Sequence, residues 1–224
     1  MKSIVLLSGG LDSTVSMAQA LREGRVELCL TMDYGQRAAS REIAAASALA
    51  AYYKLAHRVI QLPFLGEVTT SALVNREKTI PELTEEDLND TRKTTATATA
   101  VWVPNRNGLF INIAASFAEA LGCEQVVTGF NREEAVTFPD NSLDFLEAIN
   151  GSLRYSTVSG VRVVSYTARL NKAEIVQLGE RLKVPWHLIW SCYYDGETMC
   201  GRCESCRRLN RAMNAAGLVD RNRR

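Results

Sequence analysis

Two groups of residues have the types and spacing that chemistry would need. The first is Ser8-Gly9-Gly10-Leu11-Asp12-Ser13, flanked by Leu7 and Thr14 and set between a short apolar run and a helical pattern. Paired glycines let the backbone turn sharply and approach an anion with no Cβ in the way. A helix starting there adds unpaired N–H groups and a partial positive charge. Ser8, Ser13 and Thr14 supply hydroxyls, and Asp12 either caps the helix or holds Mg²⁺. Residues 7–14 therefore read as a phosphate cradle. Two commoner phosphate loops are excluded by inspection. No glycine here is followed by lysine, as a Walker loop requires, and no G-x-G-x-x-G is present.

The second group is Cys192, Cys200, Cys203 and Cys206, in the pattern C-x7-C-x2-C-x2-C. A C-x2-C step lets two thiolates converge on one ion, and a fourth thiolate from a preceding loop closes the tetrahedron. Thiolates without histidine favour one closed, structural Zn²⁺. An iron–sulfur cluster is the alternative use of the same ligands. Cys29 and Cys123 have apolar neighbours and read as buried free thiols.

Weaker candidates lie in loops. They are Asp33-Tyr34-Gly35-Gln36-Arg37, Val103-Pro104-Asn105-Arg106-Asn107, the stretch from Gly129 to Asp140 with Glu133 and Glu134, and Lys172 at a helix start. Nucleophilic Cys–His catalysis is set aside, because four of the six cysteines belong to the cluster and the two histidines, His57 and His187, flank apolar residues. There is little room for a glutaminase domain, so any ammonia comes from solution or from a partner.

These residues need a scaffold. Residues 2–7, 26–32, 58–62, 125–130 and 161–164 read as strands. Residues 14–23, 41–54, 108–121, 141–153, a stretch opened by Asn171 and ended before Pro185, and 205–216 closed by Gly217 read as helices. Asn171 with Glu174 reads as an N-cap with an acid at N3. Strands alternating with helices imply an α/β fold with a doubly wound, mostly parallel sheet. In such a sheet ligands bind at the carboxyl ends of the strands, which would gather the loops above at one crevice. Residues 64 to about 104 interrupt the rhythm with an acidic run and a threonine-rich run, and read as a structureless insertion. Residues 131–140 read as a loop.

Composition sets the limits. The chain has 224 residues, 46% hydrophobic and 23% charged, with 26 Lys and Arg against 25 Asp and Glu. That is too apolar and too balanced for a disordered chain. No apolar run is long enough to span a membrane or to serve as a signal peptide, so a cytoplasmic location with reduced thiols is expected. The net charge of +1 is unlike that of a nucleic-acid binder. Charge is uneven, however. Residues 202–224 hold seven arginines against Glu204 and Asp220, a local excess of five that leaves the rest of the chain acidic. A solvated face, or a surface for phosphate or an acidic partner, fits that excess. The length suggests a single domain over 1–224 with the cysteine motif, 190–207, inside it. A homodimer is expected only as the commonest soluble assembly.

Together the motifs resemble the 7-cyano-7-deazaguanine synthase family of the PP-loop ATP pyrophosphatases. The resemblance runs through S-G-G-L-D-S at 8–13, D-Y-G-Q-R at 33–37, V-P-N-R-N at 103–107, T-G-F-N at 128–131, F-P-D at 138–140, K-A-E-I at 172–175, and W-S-C-Y with C-G-R-C-E-S-C-R at 190–207. It implies the adenine nucleotide alpha hydrolase-like fold with a zinc-binding C-terminal segment. It also implies a carbon–nitrogen ligase acting on 7-carboxy-7-deazaguanine, ammonia and ATP with Mg²⁺. By the same resemblance Asp12, Lys172 and Arg106 would be catalytic and residues 7–14 would bind ATP. Tyr34, Gln36, Arg106, Asn107, Glu134 and Asp140 would bind the substrate, and the four cysteines would hold zinc. Neither nucleic acid nor membrane is implied as a partner. This sequence departs from the family pattern at Glu134, Phe138 and Asn141, where aspartate, tyrosine and cysteine are usual. Those departures leave ATP use intact. They open the alternatives of a relative that stops at the amide or joins the acid to another amine. A tRNA-modifying PP-loop enzyme and a non-catalytic zinc adaptor are the further alternatives.

Overall fold

The computed structural model describes residues 1–218. Arg221, Arg223 and Arg224 of the basic C-terminal stretch lie outside the described residues. The strands are β1 (Lys2–Leu6), β2 (Arg25–Asp33), β3 (His57–Gln61), β4 (Gln125–Val127) and β5 (Arg162–Val164). They form one parallel sheet in the order β3-β2-β1-β4-β5. The helices are α1 (Leu11–Glu23), α2 (Ala39–Tyr52), α3 (Phe64–Val68), α4 (Thr91–Val101), α5 (Arg106–Ala120), α6 (Leu143–Ser156), α7 (Lys172–Arg181) and α8 (Glu204–Ala215).

Alternation along β1 divides the core. Ile4 joins Leu30, Ile111, Val126 and Leu153 beneath α5 and α6. Val5 and Leu7 join Val15, Leu49, Ile175 and Leu209 beneath α1, α2, α7 and α8. Both faces of the sheet are covered, which is why the central strands read as continuous apolar runs. Cys29 and Cys123 are buried in these two cores. Burial pushes the Cys29 thiol up to about 12, so it is a packing residue and not a nucleophile at neutral pH.

The segment expected to be structureless is ordered. It contains α3, a short 3-10 turn at Glu86–Asn89 and α4, which holds the threonine-rich run. Threonine is a weak helix former, but here the helix is capped and braced. Asp90 accepts from the Arg92 and Lys93 N–H groups, and Thr94, Thr97 and Thr99 donate to carbonyls four residues earlier. Arginines from elsewhere hold the segment down. Arg37 donates to the Ala72 and Asn75 carbonyls at 2.8 Å each, Arg207 donates to Leu83 O at 3.1 Å, and Arg202 pairs with Glu82 at 2.9 Å. Part of the basic excess thus serves internal packing. The loop at 131–140 also contains two 3-10 turns, Glu134–Val136 and Pro139–Asn141.

One partly buried link behind the phosphate loop contains a titratable group. Thr31 Oγ1 donates to Leu7 O, so it accepts from His57 Nε2 at 2.8 Å, and His57 Nδ1 faces Ser47 Oγ at 3.1 Å. Burial lowers the His57 pKa. A histidine whose folded pKa is depressed resists protonation. Its contribution to stability is therefore full above the unfolded value of about 6.5 and declines as pH falls toward the folded one. Thermal melts between about pH 8 and pH 5 should show a shallower acid loss for His57→Gln than for the unaltered chain. Equal slopes would contradict this.

Candidate functional site

The strand order reverses between β1 and β4. The chain winds outward from β1 through β2 to β3 on one side and runs through β4 to β5 on the other. Loops leaving the carboxyl ends of β1 and β4 therefore separate and open a crevice. A cavity of about 270 Å³ lies there, and the phosphate loop forms one wall.

Two glycines make that wall possible. Gly9 has φ +78°, and a Cβ there would meet Ala45 Cβ at 2.8 Å and Glu42 O at 3.0 Å, so α2 packs directly behind the loop. Gly129, just beyond β4, faces α1. A Cβ there would lie 2.5 Å from the Ser13 nitrogen. The loop after β4 is thereby pressed against the first turn of α1, whose leading N–H groups no helical carbonyl can reach. Ser8 Oγ and Ser13 Oγ stand 3.0 Å apart at the same turn, while Thr14 Oγ1 is turned back to Gly10 O at 2.7 Å. Asp12 does not cap the helix, whose N-cap is Gly10.

Asp12 meets Lys172 instead. Lys172 Nζ lies 2.5 Å from Asp12 Oδ2 and 2.6 Å from Glu134 Oε1, with the lysine side chain 8% exposed. A reciprocal capping box, in which Asn171 Oδ1 accepts from Glu174 N and Glu174 Oε2 accepts from Asn171 N, fixes the start of α7 and hence the root of this lysine. Burial opposes the lysine charge, but Asp12 and Glu134 together hold its pKa above the ordinary value. Burial, reinforced by Glu134, pushes Asp12 up to about 6 against the pull of Lys172. Burial also acts on Glu134, yet Lys172 keeps it below its usual range. Asp12 Oδ1 is buried and has no hydrogen-bond partner among the described residues. An anionic oxygen of this kind beside a phosphate cradle fits a divalent cation.

Opposite stands Arg106. Asn105, at φ +51°, turns the chain into α5 and delivers the guanidinium to Tyr34, with Arg106 Nη1 donating to the phenol at 3.2 Å. Asn107 lines the same wall and donates to Asp140 O at 3.4 Å. Of the remaining candidates, Tyr34 and Glu134 line the cavity. Gln36 stands behind it with its amide engaged. Its oxygen accepts from Tyr34 N at 2.9 Å, and its nitrogen donates to Met32 O and Glu42 Oε2. Asp140 accepts from Asn141 Nδ2 at 3.2 Å and lies close enough to Arg106 to feel its charge. Phe138 and Asn141, two of the departures from the family pattern, also line the cavity.

Sequence reasoning missed several wall residues. Glu42 reaches the cavity from α2, and Trp190, Ser191 and Tyr193 reach it from the strand-less segment before the cysteines. Trp190 N donates to Gly9 O at 2.8 Å, and Arg41 stacks over the Trp190 ring at 5.3 Å. The motif W-S-C-Y held the signal, but its cysteine drew the reading to metal alone.

The cysteine cluster adjoins this wall. The four sulfurs lie within 4.8 Å of one another, and Cys200 Sγ and Cys206 Sγ are 3.9 Å apart. Cys192 Sγ accepts from the Tyr194 and Cys200 N–H groups, and Cys200 Sγ from that of Cys203. Backbone N–H groups directed at sulfur stabilise thiolates. The cluster can therefore bind a metal.

Comparison with known proteins shows the family of the chain. Residues 2–217 match the family model described as queuosine biosynthesis protein QueC. The chain is 62% identical over 218 residues to the 7-cyano-7-deazaguanine synthase of Pelotomaculum thermopropionicum, covering 97% of this chain and 99% of the relative. It is 61% identical over 219 residues to that of Desulforudis audaxviator, covering 98% and 99%. Among solved structures, a 4-thiouridine synthetase in complex with RNA and bound ATP superposes with a TM-score of 0.54 at 18% identity, covering 97% of this chain and 51% of that one. The last similarity is one of fold.

Proposed function

Because the chain belongs to the queuosine biosynthesis protein QueC family, we infer that it is an ATP-dependent ligase converting 7-carboxy-7-deazaguanine and ammonia into 7-cyano-7-deazaguanine. One observation carries the reading at the level of residues. Motifs spread from residue 8 to residue 193 converge on a single cavity at the switch point of the sheet.

The chemistry follows from leaving groups. Ammonia does not displace oxide from a carboxylate, but it does displace AMP. The substrate carboxylate oxygen attacks the α-phosphorus of ATP, and pyrophosphate departs. Ammonia then attacks the acyl carbon, loses a proton and expels AMP, leaving the amide. The amide oxygen attacks the α-phosphorus of a second ATP and expels a second pyrophosphate, and the O-adenylated amide then loses AMP and the two N–H protons to leave the nitrile. No protein nucleophile is required, in keeping with the buried Cys29 and Cys123 thiols.

Each step brings anions together, so cations must screen the approach. The first turn of α1 with Ser8 and Ser13 binds the departing pyrophosphate. Lys172 lies next to that turn and screens the phosphoryl oxygens. Arg106, with Asn107, draws in the substrate carboxylate. Asp12, with its unpartnered oxygen, would hold Mg²⁺, which supplies charge neutralisation when bound. Tyr34, Glu134 and Asp140 surround the base, and Gln36 keeps Tyr34 in place from behind.

The cysteines hold one structural Zn²⁺. Zinc–sulfur bonds of about 2.3 Å place tetrahedral sulfurs roughly 3.8 Å apart. The four sulfurs, all within 4.8 Å of one another, are compatible with that spacing. Because Trp190, Ser191 and Tyr193 belong to the cavity wall, residues 190–207 are read as part of one catalytic domain over 1–224. The near balance of charge supports action on a free base and not on tRNA. A homodimeric, cytoplasmic enzyme completes the reading, and among the described residues no helix is long and apolar enough to cross a membrane.

The departures at Glu134, Phe138 and Asn141 make product identity the decisive test. With the deazaguanine acid, ammonium and excess ATP, mass spectrometry should find the nitrile and about two AMP per product. Accumulation of the amide with one AMP would replace this reading with that of an amide-forming relative.

A further inference from the structure

Helix α8 begins at the cysteine cluster and carries Arg208 two residues after Cys206. Arg208 is buried and forked. Its Nε and Nη2 donate to Glu204 Oε1 at 2.9 and 2.7 Å, and its Nη1 donates to Glu133 Oε1 at 2.7 Å. Arg211, one turn on, reaches the same Glu133 oxygen. The other oxygen of Glu133 accepts from the backbone N–H of Lys172 at 3.3 Å. The next residue, Glu134, holds the Lys172 ammonium. Glu133 therefore ties three things together: α8, the first residue of α7 and the turn that presents Glu134.

We propose that Arg208 and Glu133 are positioning residues for Lys172, a clamp through which helix α8 sets the place of the lysine between Asp12 and Glu134. The physical case is one of geometry. A lysine carries its charge on four flexible bonds. Here its root is fixed by the cap of α7 and by Glu133, and its tip by Asp12 and Glu134. The turn that presents Glu134 is held on one side by buried Asn131, whose Oδ1 accepts from Glu134 N at 2.9 Å, and on the other by the neighbouring Glu133 carboxylate that the two arginines grip. Without the grip the turn at 134–136 can move, and Lys172 loses one of its two anionic partners. Misplacing a group that acts on the transition state by about 1 Å can cost on the order of 100-fold in rate.

The inference rests on the ligase reading for its kinetic consequence, and a second readout is independent of that reading. In Glu133→Gln, kcat for AMP formation should fall about 10- to 100-fold while KM for ATP stays within about twofold, and Glu133→Asp should recover part of the loss. Arg208→Lys, which keeps the charge and loses the fork, should move in the same direction. Acylation by an N-hydroxysuccinimide ester, mapped by mass spectrometry, should label Lys172 several-fold faster in these variants, with exposed Lys54 and Lys183 as internal references. Arg25→Ala, which breaks the exposed pair with Glu27 at the start of β2, should change neither readout. Unchanged labelling of Lys172 in folded Glu133→Gln and Arg208→Lys would overturn the clamp. If the unaltered enzyme makes no AMP, the ligase reading fails, and the labelling comparison still decides the clamp.

Discussion

Lys172→Met is expected to lower kcat for AMP formation by about 10²- to 10³-fold, the cost of removing one preorganised charge from a transition state that develops negative charge. The effect on stability should depend on pH in a way that identifies the site. Lys172 now separates Asp12 from Glu134 at 2.5 and 2.6 Å. Without it two half-buried carboxylates face each other, and both become harder to ionise. Asp12 already stands at about 6 because of burial, even with the lysine beside it. A carboxylate whose folded pKa lies above its unfolded value destabilises the fold at high pH, and the penalty disappears as pH falls through the folded pKa. The variant should therefore lose more melting temperature near pH 8 than near pH 5, the reverse of ordinary acid sensitivity. A loss that is equal at both pH values would mean that the three groups do not form the buried set described here. A kcat within a factor of about three of the unaltered enzyme would remove Lys172 from the chemistry.

Which parts of this site could be read in advance follows from where the stabilising contacts lie along the chain. Strands buried on both faces announce themselves as apolar runs, and the cap at Asn171 is written within four residues, so β1, β2 and the root of Lys172 were legible. The side-by-side order of strands was not, since pairing β1 with β4 joins residues some 120 positions apart. Helix α4 was misread because its support is unlike that of ordinary helices. It comes from threonine hydroxyls returned to the backbone, while distant Arg37, Arg202 and Arg207 anchor the preceding segment. The resemblance of residues 33–37 places Gln36 at the substrate, yet loop position does not fix which way a side chain turns, and this amide closes on Met32, Tyr34 and Glu42. The acidic pair Glu133-Glu134 looked like a single loop feature. Its two members face opposite partners, Arg208 and Lys172, a division set by tertiary placement alone.

Removal of the metal should be the most damaging change to the fold. Cys203 is fully buried, serves as the N-cap of α8 and pairs with Glu82 through an isolated bridge, so it joins the cluster to the segment before α4. Cys192 follows directly on Trp190 and Ser191, which close the phosphate loop. Structural zinc in small thiolate sites contributes about 10–16 kcal/mol, comparable with or greater than the roughly 5–15 kcal/mol by which a typical domain is stable. Four clustered sulfurs without an ion would either repel as thiolates or take up protons and lose their common partner. Chelation, with metal loss verified by elemental analysis at about one equivalent, should therefore abolish the cooperative melt or lower its midpoint steeply. Cys203→Ser should behave alike, whereas Cys29→Ser should retain the metal and show only the cost of a hydroxyl in the core. ATP affinity should fall together with the metal, because Trp190 N no longer secures Gly9 O once the segment is released. A metal-free chain that melts unchanged would show that apolar packing alone holds α8, and the cysteines would then need another explanation. If the melt is lost but ATP still binds, the cluster and the phosphate loop are independent, contrary to the contact between Trp190 and Gly9.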